Sequence, residues 1–188
     1  MMATKNNGFG NGMMIQIPRV KIPIPLFIVF RALGVISDED ICKRVVLDTK
    51  HENNKVMMTC LQGSIVEGNK YLTQECAFKY IVSHVMYTPM NIDKEAGIKK
   101  KREFTDDILK NDLFPHCHTM DQKIYFLGYM TKCLIQCSMG LEEPDDRDSY
   151  LNKRVDLTGI LLNNLYRNYF NKLVKDMQKQ IVREINNG

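Results

Sequence analysis

From Leu157 to Ile185 an apolar residue returns every fourth position: Leu161, Leu165, Tyr169, Leu173, Met177 and Ile181. This is the strongest helical period in the chain, and it commits the C-terminal end to one long amphipathic helix. The pattern runs almost to Gly188, and the opposite end begins in a loop-like "NNGFGNG". Both ends lead us to expect a natural subdomain of a larger polypeptide.

Upstream, the periods are shorter. Met13 to Ile24 alternates apolar and polar among Pro18, Pro23 and Pro25, which predicts an extended segment on a sheet edge. Leu26 to Leu33 reads as a short buried helix ended by Gly34. Ser37 reads as the cap of a helix to about Leu47, with Asp38, Glu39 and Asp40 in its first turn. His51 to Lys55 is expected to be loop. Val56 to Glu67 and Thr73 to Val85 are expected to be helices, and Thr88 to Asp93 a turn around Pro89. Phe104 to Leu113 reads as a helix stopped by Phe114-Pro115. Gln122 to Met139 reads as a long buried helix capped by Gly140. The expected class is α+β and mostly helical, with a few short strands and a long C-terminal helix. The expected division is 1–143 and 144–188.

A chain of 188 residues with 44% hydrophobic and 26% charged residues is long enough to bury a core. Its net charge of +4 permits a nucleic-acid partner without demanding one. The most apolar run, Ile22 to Ile36, holds two prolines and Arg31 and is shorter than a bilayer span, so no membrane segment is expected. No secretory signal pattern precedes the six cysteines, so an intracellular protein with reduced thiols is expected.

No motif assembles a nucleophile, its base and an orienting acid, and no phosphate-cradling glycine loop is present. No catalytic residue is assigned. Gly8, Gly10 and Gly12 read as a turn, and His84 as a helix-terminus residue. His116, Cys117, His118, Cys133 and Cys137 could supply soft metal ligands, but their spacing matches no zinc pattern, and two cysteines on an apolar helix face are more often core residues. No metal site is assigned. The run Lys99–Arg102 reads as a solvated helix start, with Glu103 and Asp106 near enough to pair, ahead of a phosphate site. The polar face of the last helix, with Arg167, Lys172, Lys175, Lys179 and Arg183, serves equally as a solubilising face or as a wall toward nucleic acid or an acidic partner.

The densest charge lies in "PDDRDSYLNKRVDLTG", Pro144 to Gly159, between two helical patterns. Asp156 or Thr158 could cap the last helix, and Asp145, Asp146 and Asp148 could complement its positive end. Arg147, Lys153 and Arg154 could bridge back to those acids. Such a joint is stiff and self-neutralising, yet it also offers carboxylates to base amino groups and cations to phosphate.

The stretch from Lys123 to Leu173, with Phe-Leu-Gly-Tyr-Met, Asp-Asp-Arg-Asp, Lys-Arg-x-x-Leu-x-Gly and then a long helix, resembles the second-largest subunit of multisubunit DNA-directed RNA polymerases. "IPIPLFIVFRALGVISDEDI" and "ILKNDLFPHC" resemble upstream blocks of the same family in the same order. The resemblance covers the chain from about Met13 onward. It implies the lobe of that subunit, followed by the start of the helix that returns to the protrusion. It further implies a non-catalytic flank of the cleft beside downstream DNA in a nucleotidyltransferase. The implied partners are DNA, the largest subunit, a small zinc-ribbon subunit and initiation factors, with no membrane partner. No cofactor is implied in this chain, and the magnesium of the whole polymerase is bound elsewhere. By the same resemblance, Arg147, Asp148, Lys153 and Arg154 become nucleic-acid contacts: Asp148 matches an acid that meets a non-template base in bacterial relatives, and Lys153 a nearby basic contact. Ser149 stands where many relatives have His, and Leu151 where many have Gly or Ala. An Asn/Lys/Ile-rich composition suits a large DNA virus, hence a nuclear or viral-factory location. The alternative is a free-standing basic helical protein that recruits partners.

Overall fold

The computed structural model describes residues 2–6, 8–47, 52–87 and 94–187. They divide into two compact units, Met1–Glu143 and Pro144–Gly188.

The first unit opens with a three-stranded antiparallel sheet in the order β1-β2-β3: β1 Met2–Asn6, β2 Asn11–Ile15 and β3 Ile24–Pro25. The glycine-rich opening is thus a hairpin, with Gly8 and Gly10 at φ 90° and 117° in its turn. The expectation of an edge segment over Met13 to Ile24 is corrected. β2 is the central strand, and the prolines avoid it: Pro18 follows it, and Pro25 ends the edge strand β3.

Helix α1, Leu26–Ala32, is buried at every position and sits at the centre of the unit against α3, Glu52–Gly68, and α4, Gln74–His84. Its end is a Schellman cap: Gly34 at φ 112° donates to the Arg31 carbonyl, and Val35 donates to that of Phe30. Helix α2, Asp38–Val46, packs on α6, Met120–Ser138. Ser37 holds the N-cap position of α2 as expected, but its side chain makes no capping bond. Residues Glu52 to Lys55, expected as loop, form the first turn of α3; His51 lies outside the described residues, as does the expected turn at Thr88 to Asp93. Helix α3 lies across β2 closely enough that a Cβ on Gly63 would stand 2.7 Å from the Gly10 carbonyl oxygen. There the Met13 N–H donates to the buried Ser64 hydroxyl at 2.9 Å.

Helix α5, Lys94–Asp107, contains Lys99–Arg102 in its interior rather than at its start. Arg102 lies 3.7 Å from Glu75 and 5.6 Å from the centre of the Phe78 ring, so its partners are on α4, not the expected Glu103 and Asp106. The expected helix to Leu113 changes character at Ile108: residues Ile108–Asp112 form one π-helical turn. Phe114 then adopts φ 51° and turns the chain, and its ring meets Phe126 of α6 at 5.0 Å. A capping box of Thr119 and Gln122 starts α6, and a second Schellman cap at Gly140 ends it, with Gly140 donating to the Cys137 carbonyl and Leu141 to that of Gln136.

Two buried cations lock this unit. Arg31, 1% exposed, donates to the carbonyls of Gly68 (2.6 Å), Tyr71 (2.9 Å) and Ile36 (3.4 Å) and pairs with Asp38. One guanidinium therefore satisfies the end of α3, the turn after it and the start of α2. Lys123, also 1% exposed, donates its ammonium to the carbonyls of Leu109, Lys110 and Leu113. It thereby closes the π turn with positive charge where helix carbonyls are left over. Burial pushes the Lys123 pKa down, opposed by the nearby Cys117. A Cβ on Gly128 would stand 2.7 Å from the Arg44 carbonyl oxygen, so this glycine sets how closely α6 approaches α2.

The second unit is a turn-rich segment and one helix, α7, Thr158–Asn187. The predicted apolar row is present, but it winds. Steps of four residues advance about 40° around a helix of 3.6 residues per turn, so the row from Leu161 to Ile185 moves well over halfway around the axis. No residue of α7 is buried.

Candidate nucleic-acid interface

The charged joint is organised by Asp146. Its carboxylate accepts the Asp148 N–H at 2.9 Å, an Asx turn. Its carbonyl accepts the Asn152 side-chain amide at 2.8 Å and the Ser149 N–H at 3.3 Å. The Asn152 N–H in turn donates to the Ser149 carbonyl at 3.0 Å. These bonds fold residues 146–152 into consecutive turns, and the side chains that remain are presented outward.

Of the four residues expected to touch nucleic acid, two are brought together: the Lys153 ammonium lies 3.3 Å from the Asp148 carboxylate, both well exposed. Arg147 and Arg154 are exposed, and among the described residues neither pairs with an acid. The expected bridging of all three bases is thus realised at one of them. Asp146 closes the turn and Asp148 takes the one expected ion pair, with Lys153; the expected cap at Thr158 is corrected, since Thr158 is the first helical residue. The first bonds of α7 run from Ile160 and Leu161 to the Leu157 carbonyl. Of the residues that set the turn, Asn152 was not singled out from sequence, and Asp146 and Ser149 were named for other roles. Their signal was present in the density of Asp, Ser and Asn, residues that bond to their own backbone.

The proposed soft-metal residues are not gathered. Among the described residues no group of three or more His, Cys, Asp or Glu side chains is placed to hold a metal ion. His116 instead packs its ring edge-on to Phe126 at 4.5 Å. Cys133 and Cys137 are half-buried and free, while Cys42 is buried. Burial, with a smaller push from Asp38, raises the Cys42 pKa to about 11. No helix among the described residues is long and apolar enough to cross a membrane.

Residues 1–156 match the family model described as RNA polymerase Rpb2, domain 2. The chain belongs to this family. The match to the Rpb2 lobe includes the joint through Asp156 and therefore all four candidate contacts. Similar proteins include DNA-directed RNA polymerase II subunit 2 of Arabidopsis thaliana, 34% identical over 99% of this chain and 15% of that protein. Subunit RPB2 of Encephalitozoon cuniculi is 34% identical over 93% of this chain and 15% of its own length. DNA-directed RNA polymerase subunit 2 of Acanthamoeba polyphaga mimivirus is 30% identical over 90% of this chain and 15% of its own length. The chain therefore spans about 15% of the length of these curated relatives.

The Rpb2 family blocks are now legible as structure. Arg31, in "FRALG", is the first latch, and Lys123, ahead of "IYFLGYM", is the second. The Lys123 latch closes on carbonyls of the "ILKNDL" block, so two separated family blocks hold each other. Gly128 of the same block fits α6 against α2. Most of what carries the resemblance in the first unit is scaffold; the joint is where polar groups are left over.

Proposed function

We propose that this chain is a non-catalytic module of a DNA-directed RNA polymerase, forming one side of the DNA cleft through the lobe of the second-largest subunit. The observation that carries the reading is the joint. Its backbone is fixed by Asp146, Ser149 and Asn152, while Arg147 and Arg154 stay exposed without acid partners among the described residues and Lys153 shares Asp148. Cations held out from a stiff turn suit phosphates of downstream DNA, and the Asp148 carboxylate can accept from a base amino group. On this reading residues 1–143 are the lobe and 144–188 the joint and helix leading into the protrusion. The largest subunit, a small zinc-ribbon subunit and initiation factors are its protein partners. The polymerase works in the nucleus or in a cytoplasmic viral factory.

The whole enzyme joins nucleotides to a growing RNA with magnesium. We place that metal on other polypeptide of the complex; among the described residues no three His, Cys, Asp or Glu side chains are gathered to hold an ion. A photocrosslinking residue at position 147 of the assembled polymerase should label duplex DNA ahead of the RNA 3′ end. Crosslinks to protein alone from 147, 148, 153 and 154 would overturn the cleft assignment. The purified chain, given template, nucleotides and magnesium, should make no RNA.

A further inference from the structure

We infer that the C-terminal half of α7 carries a second, independent surface for the phosphate backbone of duplex DNA, formed by Lys172, Lys175, Lys179 and Arg183. Steps of three, four and four residues place these four cations within an arc of about 80° on a helix of 3.6 residues per turn. They span roughly 16 Å of axis at 1.5 Å per residue. All four are exposed, and Lys175, Lys179 and Arg183 line, with Gln178 and Val182, a shallow groove of about 410 Å³. One of the four has an acid partner: Asp176, at the edge of the arc, lies 3.9 Å from Lys179. Glu184 stands about 100° outside the arc and is bonded by Gln180 at 2.8 Å. Among the described residues, Lys172, Lys175 and Arg183 make no ion pair.

The winding of the apolar row makes the arc more than a solvated face. Over this half of the helix, Val174, Met177, Ile181 and Ile185 occupy the side opposite the cations. Any body that covers the apolar side leaves the four cations outward as a line of positive charge. Such a line complements a polymer carrying one negative charge per about 1.7 Å of duplex axis, and it needs no base contact. The choice of duplex DNA as the polyanion rests on the cleft reading above; the geometry of the cations does not.

The test is fluorescence anisotropy of a mixed-sequence DNA duplex bound by the full chain over a series of salt concentrations. With helix content checked by circular dichroism, K172Q/K175Q/K179Q/R183Q should bind more weakly at low salt. Its slope of log affinity against log salt should be smaller by about 3.6, at about 0.9 for each phosphate that the variant leaves unneutralised. The charge-preserving K172R/K175R/K179R should keep the wild-type slope. An unchanged slope in the folded glutamine variant would overturn the proposal. So would tighter binding of the wild type to polyglutamate, which marks an acidic polypeptide as the partner, or to single-stranded RNA. The joint variant R147Q/K153Q/R154Q, run in parallel, separates the two readings. Weaker binding confined to that variant removes the stripe and keeps the joint; weaker binding confined to the α7 variant does the reverse.

Discussion

Arg31 in the first unit and Arg147 in the second are the same side chain in opposite circumstances. Arg31 is 1% exposed, with its donors directed at three carbonyls and one carboxylate. Arg147 is exposed and, among the described residues, has no acid partner. The same contrast separates Lys123, buried on three carbonyls, from Lys153, exposed beside Asp148. A buried cation cannot be released without leaving orphaned carbonyls, so its role is to hold elements together. An exposed cation on a fixed turn contributes little to folding and is free to meet a polyanion. Position in the fold, rather than residue type, separates the charges that hold the fold together from those left free at its surface.

The largest effect should come from emptying a latch. Arg31→Ala strips the Gly68 and Tyr71 carbonyls of their donor and should destabilise the first unit by about 3–5 kcal/mol in urea unfolding. A cost below about 1 kcal/mol would show that water replaces the guanidinium and that the latch is dispensable.

Next comes the buried thiol. Cys42 has a folded pKa of about 11, against 9.0 for the free group. Between these values the folded chain keeps a proton that the unfolded chain has given up, so stability falls as pH rises. The Cys42 contribution is fully present below pH 9 and should decline by roughly 2–3 kcal/mol toward pH 11, at 1.36 kcal/mol per unit. Cys42→Ala should flatten that decline relative to wild type. Parallel curves for the two proteins would place the thiol in a more polar site than the structure gives it.

A smaller effect is expected where α6 touches α2. Gly128→Ala sets a methyl 2.7 Å from the Arg44 carbonyl oxygen, and relief by backbone shift should cost about 1–3 kcal/mol. A neutral or stabilising result would mean that the two helices can separate freely there. The smallest effect belongs to the joint: Arg147→Gln and Arg154→Gln should each change stability by less than about 0.5 kcal/mol. A large destabilisation from either would move it to the structural side of the comparison.

Much of the fold was legible in the sequence because period and punctuation coincide. Gly34 and Gly140 each mark a Schellman cap, and Thr73, whose side chain accepts from the Cys76 N–H, marks the start of α4. The π turn at Ile108–Asp112 was not legible, since five residues of altered winding leave the apolar period intact; what fixes it is Lys123, fourteen residues from Leu109. The buried cations were missed for a related reason. Lys and Arg are rarely buried, and only tertiary contact reveals the carbonyls that receive them. At the joint, the charges were visible but their division of labour was not. Which acid closes the turn and which pairs with Lys153 depends on backbone geometry that charge pattern does not encode.

The most direct test of this division is to measure, for the full chain and for R147Q/K153Q/R154Q, both the urea unfolding midpoint and the salt dependence of duplex DNA binding. The account predicts an unchanged midpoint and a salt slope smaller by about 2.7, for three phosphates left unneutralised. An unchanged slope, or a midpoint shift as large as that of Arg31→Ala, would contradict it.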